Sequence, residues 1–381
     1  MKNFAAQLQR REQQHLYRRR KTIDSPQGVE IRYNGQQTLS FCSNDYLGLA
    51  NHPRLIHAFK KAADEYGVGS GSAHLITGHL RPHEILEEKL AEFFNRPRAL
   101  VFSTGYMANL GILSALTDRH DVIFEDKLNH ASLLDGAQLS RAALKRYHHL
   151  DCDHLESLLQ ESRNQHSIIA TDALFSMDGD LAPLPRLAQL AAQYQSLLMI
   201  DDAHGIGVLG ETGRGCVEYF GLNDHQVPIL MGTMGKALGT FGAFVAASED
   251  IIEMLIQDAR SYLFTTAPPP AIAAATIESL AIIDDEPWRR AQLQERIEQF
   301  RKGAKQLGLA LMESHSAIQP IVFWEAQAAV TASEKLLAQK ILVPAIRPPT
   351  VPQGSARIRI TLCANHTTHQ VNQLLEGLAS L

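Results

Sequence analysis

Short apolar segments alternate with helix-like segments through the first two thirds of the chain. ALVF (99–102) precedes YMANLGILSAL, DVIFED (121–126) precedes HASLLDGAQLS, and SIIATDALF (167–175) precedes PLPRLAQLAAQYQ and a further apolar run, SLLMI. Alternation of strand, loop and helix is typical of a mainly parallel sheet with helices on both faces. We therefore predict an α/β fold built on a large, mainly parallel sheet.

The pattern changes at about residue 275. The helix-like segment RAQLQERIEQFRKGAKQL is followed by apolar AIQPIVFW, a helix near 326–339, ARIRITL and a closing helix near 367–380. This order is typical of a smaller α+β domain. We predict three parts: an N-terminal helical segment (1–45), a large α/β domain (46–274) and a small C-terminal α+β domain (275–381).

Composition excludes several classes of protein. A net charge of −5 and a pI near 6.4 argue against bulk binding to nucleic acid or a membrane surface, although basic residues cluster in the first 21 positions. The four cysteines are widely spaced without a CxxC pair, which indicates reduced thiols and no cysteine metal site. No signal peptide and no run of about 20 apolar residues is visible. We expect a cytoplasmic protein.

Polar residues stand where the predicted strands end. Ligands of open α/β sheets bind beyond the carboxyl ends of the strands, and the free N–H groups of a helix that begins there can hold a phosphate. The residues at these ends are Ser103, Thr104 and Gly105 after ALVF, Ser176 after ALF, Asp201, Asp202 and His204 after SLLMI, and Thr233 and Lys236 after VPILMG. They mark the predicted ligand site.

Each feature has an ordinary structural explanation when it is taken alone. A glycine-rich loop before a helix is usually a turn, DDAHG is typical of a turn capped by aspartate, and a loop lysine is usually solvated. His130 could simply begin a helix, and Ser176 could be a turn residue. The combination is more selective than its parts.

Lys236 is the single charged residue of MGTMGKALGTFGAF (231–244), where it lies among glycines. Pyridoxal 5′-phosphate (PLP) requires such an amine, because its aldehyde forms a Schiff base with lysine. The pyridine nitrogen of PLP needs a carboxylate, and its phosphate needs backbone and hydroxyl donors. We therefore predict PLP as the cofactor and Lys236 as its covalent partner.

At these residues the chain resembles the α-oxoamine synthases, PLP enzymes that condense an amino acid with an acyl thioester and release carbon dioxide. The resemblance extends from about residue 15 to about residue 375 and implies a fold-type-I PLP-dependent transferase with a large, mainly parallel sheet domain and a smaller C-terminal domain. The segments that carry it are SNDYLGLANHP (43–53), STGYMANL (103–110), NHASLLDGA (129–137), FSMDGDLAPL (175–184), DDAHGIGVLGETGRG (201–215), TMGKALGTFG (233–242) and AIRPPTVPQGSARIRITL (345–362).

The resemblance implies a role for each residue of the cofactor site. Lys236 would bind the PLP aldehyde and, once released, would remove the Cα proton of the amino acid. Asp201 would keep the pyridine nitrogen protonated, and His130 would stack on the ring and hydrogen-bond the developing enolate. The other implied contacts are His204 and Ser176 to the phenolic oxygen, and Gly105, Tyr106, Thr233 and Thr266 to the phosphate.

Substrate residues are implied in the same way. Asn44 and Arg359 would bind the carboxylate of the amino acid, while Arg347 and Thr350 would line the acyl site. Arg18 aligns with a substrate-contacting arginine, but Arg19 or Arg20 could be the true counterpart, since all three stand in LYRRRK. The resemblance implies a homodimer with shared active sites, in which Thr266 reaches the phosphate of the other subunit.

Within the family, the chain resembles the branch of biotin biosynthesis that uses L-alanine and a pimeloyl thioester, carried on coenzyme A or an acyl carrier protein. Two departures are present: Asp172 replaces a more familiar Glu, and Ser72-Ala73 replaces Gly-Ser beside His74, whose role stays open. Sister enzymes that use glycine or serine, such as glycine C-acetyltransferase and 5-aminolevulinate synthase, are alternatives.

Two alternatives belong to other classes. A dinucleotide-binding oxidoreductase would have a GxGxxG segment after an early strand, and none is present. A non-catalytic scaffold of the same fold would have lost Lys236 or Asp201, and the chain has both.

Overall fold

The structure is a computed structural model that describes residues 2–163 and 165–381. Contacts divide the chain into two compact units. The larger unit comprises residues 52–175 and 181–287, and the smaller unit comprises residues up to Asn51, 176–180 and 288–381.

The helices of the described chain are α1 (Phe4–Gln13), α2 (Pro53–Tyr66), α3 (Arg81–Phe93), α4 (Gly105–Leu116), α5 (Ala131–Ser140), α6 (Cys152–Glu161), α7 (Leu184–Tyr194), α8 (Cys216–Tyr219), α9 (Glu249–Asp258), α10 (Arg260–Leu263), α11 (Pro270–Asp285), α12 (Trp288–Gln306), α13 (Ala326–Ala338) and α14 (Thr368–Ala379). A π-helical turn spans His74–Gly78. Among the helices described, none is long and apolar enough to cross a membrane.

The strands are β1 (Glu30–Tyr33), β2 (Gln36–Ser40), β3 (Arg98–Phe102), β4 (Val122–Asp126), β5 (Ala143–Tyr147), β6 (Ser167–Asp172), β7 (Leu197–Asp201), β8 (Ile229–Thr233), β9 (Ala243–Ala247), β10 (Ile318–Trp324), β11 (Ile341–Leu342), β12 (Ala345–Ile346) and β13 (Ala356–Thr361).

A seven-stranded sheet forms the centre of the larger unit, in the order β3-β9-β8-β7-β6-β4-β5. Only β9 runs antiparallel to its neighbours, β3 and β8, and the pairs from β8 to β5 are all parallel. Apolar side chains of its strands and of α4, α5 and α9 form one buried core. The predicted α/β fold with a mainly parallel sheet is confirmed.

Local sequence explains where α4 begins. Thr104 has an extended backbone, and its Oγ1 accepts the N–H of Met107 at 3.2 Å, so it caps the helix that starts at Gly105. The N–H groups of the first turn of α4 thus lie directly after β3. This is the arrangement that a phosphate needs.

Strand β6 is shorter than the apolar run 167–175 from which it was predicted. It ends at Asp172, because the chain then turns back and Leu174 forms an isolated bridge with Leu181. Ser176 therefore lies in this turn rather than at the end of β6, and it belongs to the smaller unit.

The smaller unit contains two three-stranded sheets, β1-β2-β11 and β10-β13-β12. Strand β11 pairs in parallel with β2, so the N-terminal residues share a sheet with the C-terminal region. The boundaries of the two compact units therefore differ from those predicted at 45/46 and 274/275. The second of these falls inside α11, which packs on α2 and α3 of the larger unit.

Candidate active site

The carboxyl ends of three neighbouring strands bring polar residues together in the larger unit. Asp201, the last residue of β7, pairs in register with Asp172 of β6 on one side and with Met231 of β8 on the other. The loop that follows β8 carries Lys236, and the loop that follows β7 carries His204. Sheet register thus gathers the residues that the sequence places at separate strand ends.

Asp201 presents a buried carboxylate that is held by two N–H donors. Asn109 Nδ2 donates to Oδ2 at 2.7 Å, and the backbone N–H of Ala203 donates to Oδ1 at 3.0 Å. The side chain is only 4% exposed. Such a carboxylate is suited to bind a protonated ring nitrogen.

Lys236 and His204 are adjacent. The Nζ atom of Lys236 lies 2.9 Å from Nε2 of His204, and the lysine is half-buried while the histidine is buried. The glycines on both sides of Lys236 allow the turn at 234–240, in which Gly239 has a φ of +67°. The predicted amine therefore faces a ring nitrogen within the site instead of lying in solvent.

His130 caps α5 beside these groups. Asp172 Oδ2 accepts its backbone N–H at 2.6 Å, and its Nδ1 atom lies 2.7 Å from Ser132 Oγ. Burial lowers the pKa of His130, and the positive charge of Lys236 lowers it further, while Asp201 opposes the shift. The imidazole is therefore neutral at physiological pH.

Burial also raises the pKa of Asp172 well above its usual range, and the neighbouring charge of Asp201 raises it further. The short side chain of Asp172 makes a definite contact: it holds the backbone N–H of His130. The departure noted in the sequence thus has a structural role.

The predicted phosphate residues lie around the start of α4 and the end of β8. Gly105 and Tyr106 form the first turn of α4, and the hydroxyl of Tyr106 donates to Asp135. Thr233 Oγ1 donates to the carbonyl of Gly242 at 2.9 Å, so its hydrogen is engaged in a turn. Thr266 lies apart from these two elements, in the loop before α11, and is exposed.

Arg359, Asn44 and Ser176 come together in the smaller unit. Both terminal nitrogens of Arg359 lie 3.3 Å from Asn44 Oδ1, and its Nε donates to the carbonyl of Ser176 at 2.5 Å. The arginine is buried in the central strand β13. A guanidinium beside an amide is suited to bind a carboxylate.

A cationic cavity of about 570 Å³ also lies in the smaller unit. Arg18 donates to Thr350 Oγ1 at 3.1 Å at this cavity, and Arg19 pairs with Glu12. Arg347 donates to the backbone carbonyls of His15 and Tyr17 at 2.6 and 2.8 Å, so it holds the N-terminal segment. Among the described residues, Arg20 does not line the cavity.

His74 lies elsewhere in the larger unit, within a group of histidines. Its Nδ1 is 2.9 Å from Nδ1 of His79, and its ring stacks on Tyr262 at a centroid distance of 4.8 Å. Burial lowers the pKa of His74 to about 3. Packing against His79 and Tyr262 thus explains the buried position of His74.

Comparison with known proteins identifies the family of the chain. A model of the family described as aminotransferase class I and II matches residues 36–378. The chain belongs to the aminotransferase class I and II family. It is 58% identical to the 8-amino-7-oxononanoate synthase of Nitrosococcus oceani, over 98% of this chain and all of that protein.

Solved structures show the same fold as this member of the aminotransferase class I and II family. An 8-amino-7-oxononanoate synthase from Francisella tularensis has a TM-score of 0.78 and 36% identity, covering 90% of this chain and 97% of that one. A serine palmitoyltransferase from S. paucimobilis with a bound PLP–myriocin aldimine has a TM-score of 0.94 and 28% identity, covering 99% and 96%.

In this aminotransferase class I and II chain, the larger unit brings Lys236, His204, Asp201 and His130 close together. Sequence reasoning missed two residues that contact them, Asn109 and Ser132. One signal was visible: Asn109 is the only amide in the otherwise largely apolar helix GYMANLGILSAL. Ser132 offered no comparable signal, because serine is an ordinary residue in the first turn of a helix.

Proposed function

We propose that the chain condenses L-alanine with a pimeloyl thioester, with PLP as the cofactor, in biotin biosynthesis. The products are 8-amino-7-oxononanoate, carbon dioxide and the free thiol. Relatives of this name align over nearly the whole chain. The observation that carries the proposal is the convergence of Lys236, the buried Asp201 carboxylate and the start of α4 on one edge of the sheet.

The residues present fit PLP. Lys236 would hold its aldehyde carbon, Asp201 its ring nitrogen, and the N–H groups of Gly105 and Tyr106 its phosphate. When bound, PLP supplies an electron sink for the negative charge that develops on the alanine Cα. His204 would donate to its phenolic oxygen, together with Ser176.

The chain's own residues would then handle protons and charge. Lys236 would take the Cα proton of alanine, since its amine lies half-buried within the site. His130, neutral through burial, would donate a hydrogen bond to the ketone oxygen formed when the pimeloyl group is transferred and the thiol leaves. The same donor would stabilise negative charge on that oxygen as carbon dioxide is lost.

Substrate binding would involve the two groups of the smaller unit. Arg359 and Asn44 would bind the carboxylate of alanine. In the cationic cavity, Arg18 would take the distal carboxylate of the pimeloyl chain together with Thr350. Arg347, whose terminal nitrogens both hold backbone carbonyls, would position Arg18 through the segment 15–17.

We further propose a homodimer with shared active sites, located in the cytoplasm. The larger unit exposes Val68, Ile76 and Phe264, which are 88%, 75% and 73% accessible and are suited to a subunit interface. Thr266, two residues after Phe264, would reach the phosphate of the other subunit. The four cysteines are free thiols, which supports a reducing compartment.

A substrate matrix tests the proposed function. Alanine, glycine and serine are each assayed with pimeloyl, acetyl, succinyl and palmitoyl thioesters, and the pimeloyl group is supplied on coenzyme A and on an acyl carrier protein. We expect the highest kcat/KM for alanine with pimeloyl, and a visible absorbance band that Lys236→Ala abolishes. Preference for glycine or serine would assign the chain to a sister activity. An unchanged imine band in Lys236→Ala, recorded without amino acid, would contradict a Schiff base at Lys236.

A further inference from the structure

Asn109 is a fully buried amide that connects two residues of the site. Its Nδ2 atom lies 2.7 Å from Asp201 Oδ2 and 2.8 Å from Ser132 Oγ, so its two N–H bonds bridge α4, β7 and α5. A carboxylate only accepts hydrogen bonds, which fixes the orientation of the amide with its nitrogen towards Asp201. Oδ1 of Asn109 has no hydrogen-bond partner among the described residues.

The two ends of the Asn109 amide differ in their hydrogen bonds. A buried amide kept only for packing or stability would pair both of its ends, since an unpaired buried carbonyl is costly. Asn109 instead leaves its oxygen unpaired and uses both hydrogens towards the site. The hydrogen bonds of this amide are thus all directed to Asp201 and Ser132.

Ser132 continues the chain of hydrogen bonds to His130. Nδ1 of His130 already accepts the backbone N–H of Ser132, so the Ser132 hydroxyl, whose Oγ accepts from Asn109, directs its hydrogen to the same nitrogen at 2.7 Å. The backbone N–H of Ser132 also donates to Nδ1, at 3.3 Å. A ring nitrogen that accepts from both donors carries no proton, so the proton of the neutral imidazole lies on Nε2.

Close approach of the two helices makes the bridge possible. A Cβ atom at Gly136 of α5 would lie 2.9 Å from the carbonyl oxygen of Asn109 and 3.1 Å from Cδ1 of Leu113. Glycine is thus required for α5 to pack this closely on α4. The spacing lets the short side chain of Ser132 reach Asn109.

We propose that Asn109 and Ser132 are positioning residues that keep His130 in the Nε2–H tautomer and hold the Asp201 carboxylate in place. The inference rests on the proposed function, in which His130 Nε2–H donates to the ketone oxygen and Asp201 binds the ring nitrogen of PLP. Asn109 links the two tasks, since one amide holds both partners.

Kinetics of three variants provide the first test. Ser132→Ala and Asn109→Leu, each loaded with PLP, are expected to lower kcat about 10-fold to 100-fold, the size typical of residues that orient a functional side chain, with little change in KM for alanine. Ser132→Thr, which keeps the hydroxyl, is expected to recover most of kcat. The matched controls are Ser140→Ala and Ser114→Ala, buried or half-buried hydroxyls of α5 and α4 that donate to helix carbonyls.

Nitrogen NMR of the holoenzyme reads the tautomer directly. With histidine labelled at both ring nitrogens, and His130 assigned from its absence in His130→Asn, the wild type should have Nδ1 unprotonated and Nε2 protonated. Ser132→Ala should move the Nδ1 signal towards a mixture of tautomers, and Ser140→Ala should not. An unchanged tautomer in both Ser132→Ala and Asn109→Leu would overturn the proposal.

A double variant separates positioning from general stability. If Ser132 acts through His130, adding Ser132→Ala to His130→Asn should cost no further kcat, whereas independent effects would multiply. Multiplying effects would overturn the proposal, even if Asn109→Leu failed to fold. Failure of the proposed function would appear differently, as an inactive wild type or as a visible band that persists in Lys236→Ala.

Discussion

Asp201 and Asp172 are paired in register on neighbouring strands, and both carboxyls are buried. The two residues differ in their partners: Asp201 accepts two N–H donors, whereas one side-chain hydrogen bond of Asp172, from the backbone of His130, is observed. The pKa of Asp172 is raised well above its usual range by burial and by Asp201. We therefore expect Asp172 to hold a proton.

Substitution of each aspartate by asparagine should give opposite results. Asp172→Asn replaces a neutral carboxyl by a neutral amide that still accepts the N–H of His130, so kcat should remain within about threefold of wild type. Asp201→Asn should lower kcat by at least about 100-fold. The substitution removes the carboxylate that would keep the ring nitrogen of PLP protonated. Steady-state kinetics and exchange of the alanine Cα proton for deuterium measure both variants. Full activity in Asp201→Asn would refute the proposal that Asp201 supports the electron sink of PLP by keeping its ring nitrogen protonated.

Lys236→Ala should remove both the covalent bond to PLP and the base. We expect loss of the visible band and a decrease in kcat of about 100-fold or more, the contribution of a positioned base. Lys340→Ala, an exposed lysine at a turn of the smaller unit, is the control and should behave as wild type. Retained Cα proton exchange in Lys236→Ala would assign the base to another residue.

The N-terminal arginines should differ in their effects on the acyl substrate. Arg18→Ala should raise KM for the pimeloyl thioester about 10-fold to 100-fold and leave KM for alanine unchanged, since one charge-assisted hydrogen bond is lost. Arg20→Ala, outside the cavity, should have little effect. Arg347→Ala should also raise this KM, and hydrogen exchange should show faster exchange at residues 15–18. A larger effect of Arg20→Ala than of Arg18→Ala would reassign the contact.

His74 should make stability depend on pH. Its pKa is lowered to about 3 in the folded protein, whereas an unfolded histidine titrates near 6.5. The unfolded chain thus binds more protons below pH 6.5, and stability is lost as the pH falls from there towards 3. From pH 7 to pH 5 the loss is about 2 kcal/mol.

Urea denaturation of two variants checks this. His74→Phe keeps a ring against Tyr262 without a titrating group, so its free energy of unfolding should fall less than that of wild type between pH 7 and pH 5. His57→Gln changes an exposed histidine and should follow wild type. Parallel pH curves for His74→Phe and wild type would show that His74 does not titrate in this way.

Most strands of the sheet were predictable because they are largely apolar, whereas β5, ALKRY, is half-exposed and was not predicted. ILMGT of β8 and AFVAA of β9 are buried almost throughout, and a continuous apolar run between turn residues is a strong local signal. The end of β6 was less predictable, since Ala173, Leu174 and Phe175 are as apolar as the strand. They turn out to fill the core after the chain has left the sheet.

Site residues were also predictable where the local sequence is unusual, and not where their role depends on tertiary packing. Asp201 and Lys236 stand out because a charge beside a buried strand or among glycines is unusual in any sequence. Ser132 gave no such signal, because its role depends on the distance between two helices, which Gly136 sets through packing. Arg347 was expected to face substrate, and its contacts to the backbone of residues 15–17 depend on a pairing across more than 300 positions.

The parallel pairing of β2 with β11 has a consequence for biogenesis. Strands β1 and β2 leave the ribosome about 300 residues before β11, their third strand, has been synthesised. A two-stranded hairpin alone is marginally stable in water. All strands of the seven-stranded sheet lie between Arg98 and Ala247, so they can pair while β2 still presents an open edge. During translation this edge is therefore open to pairing with another chain.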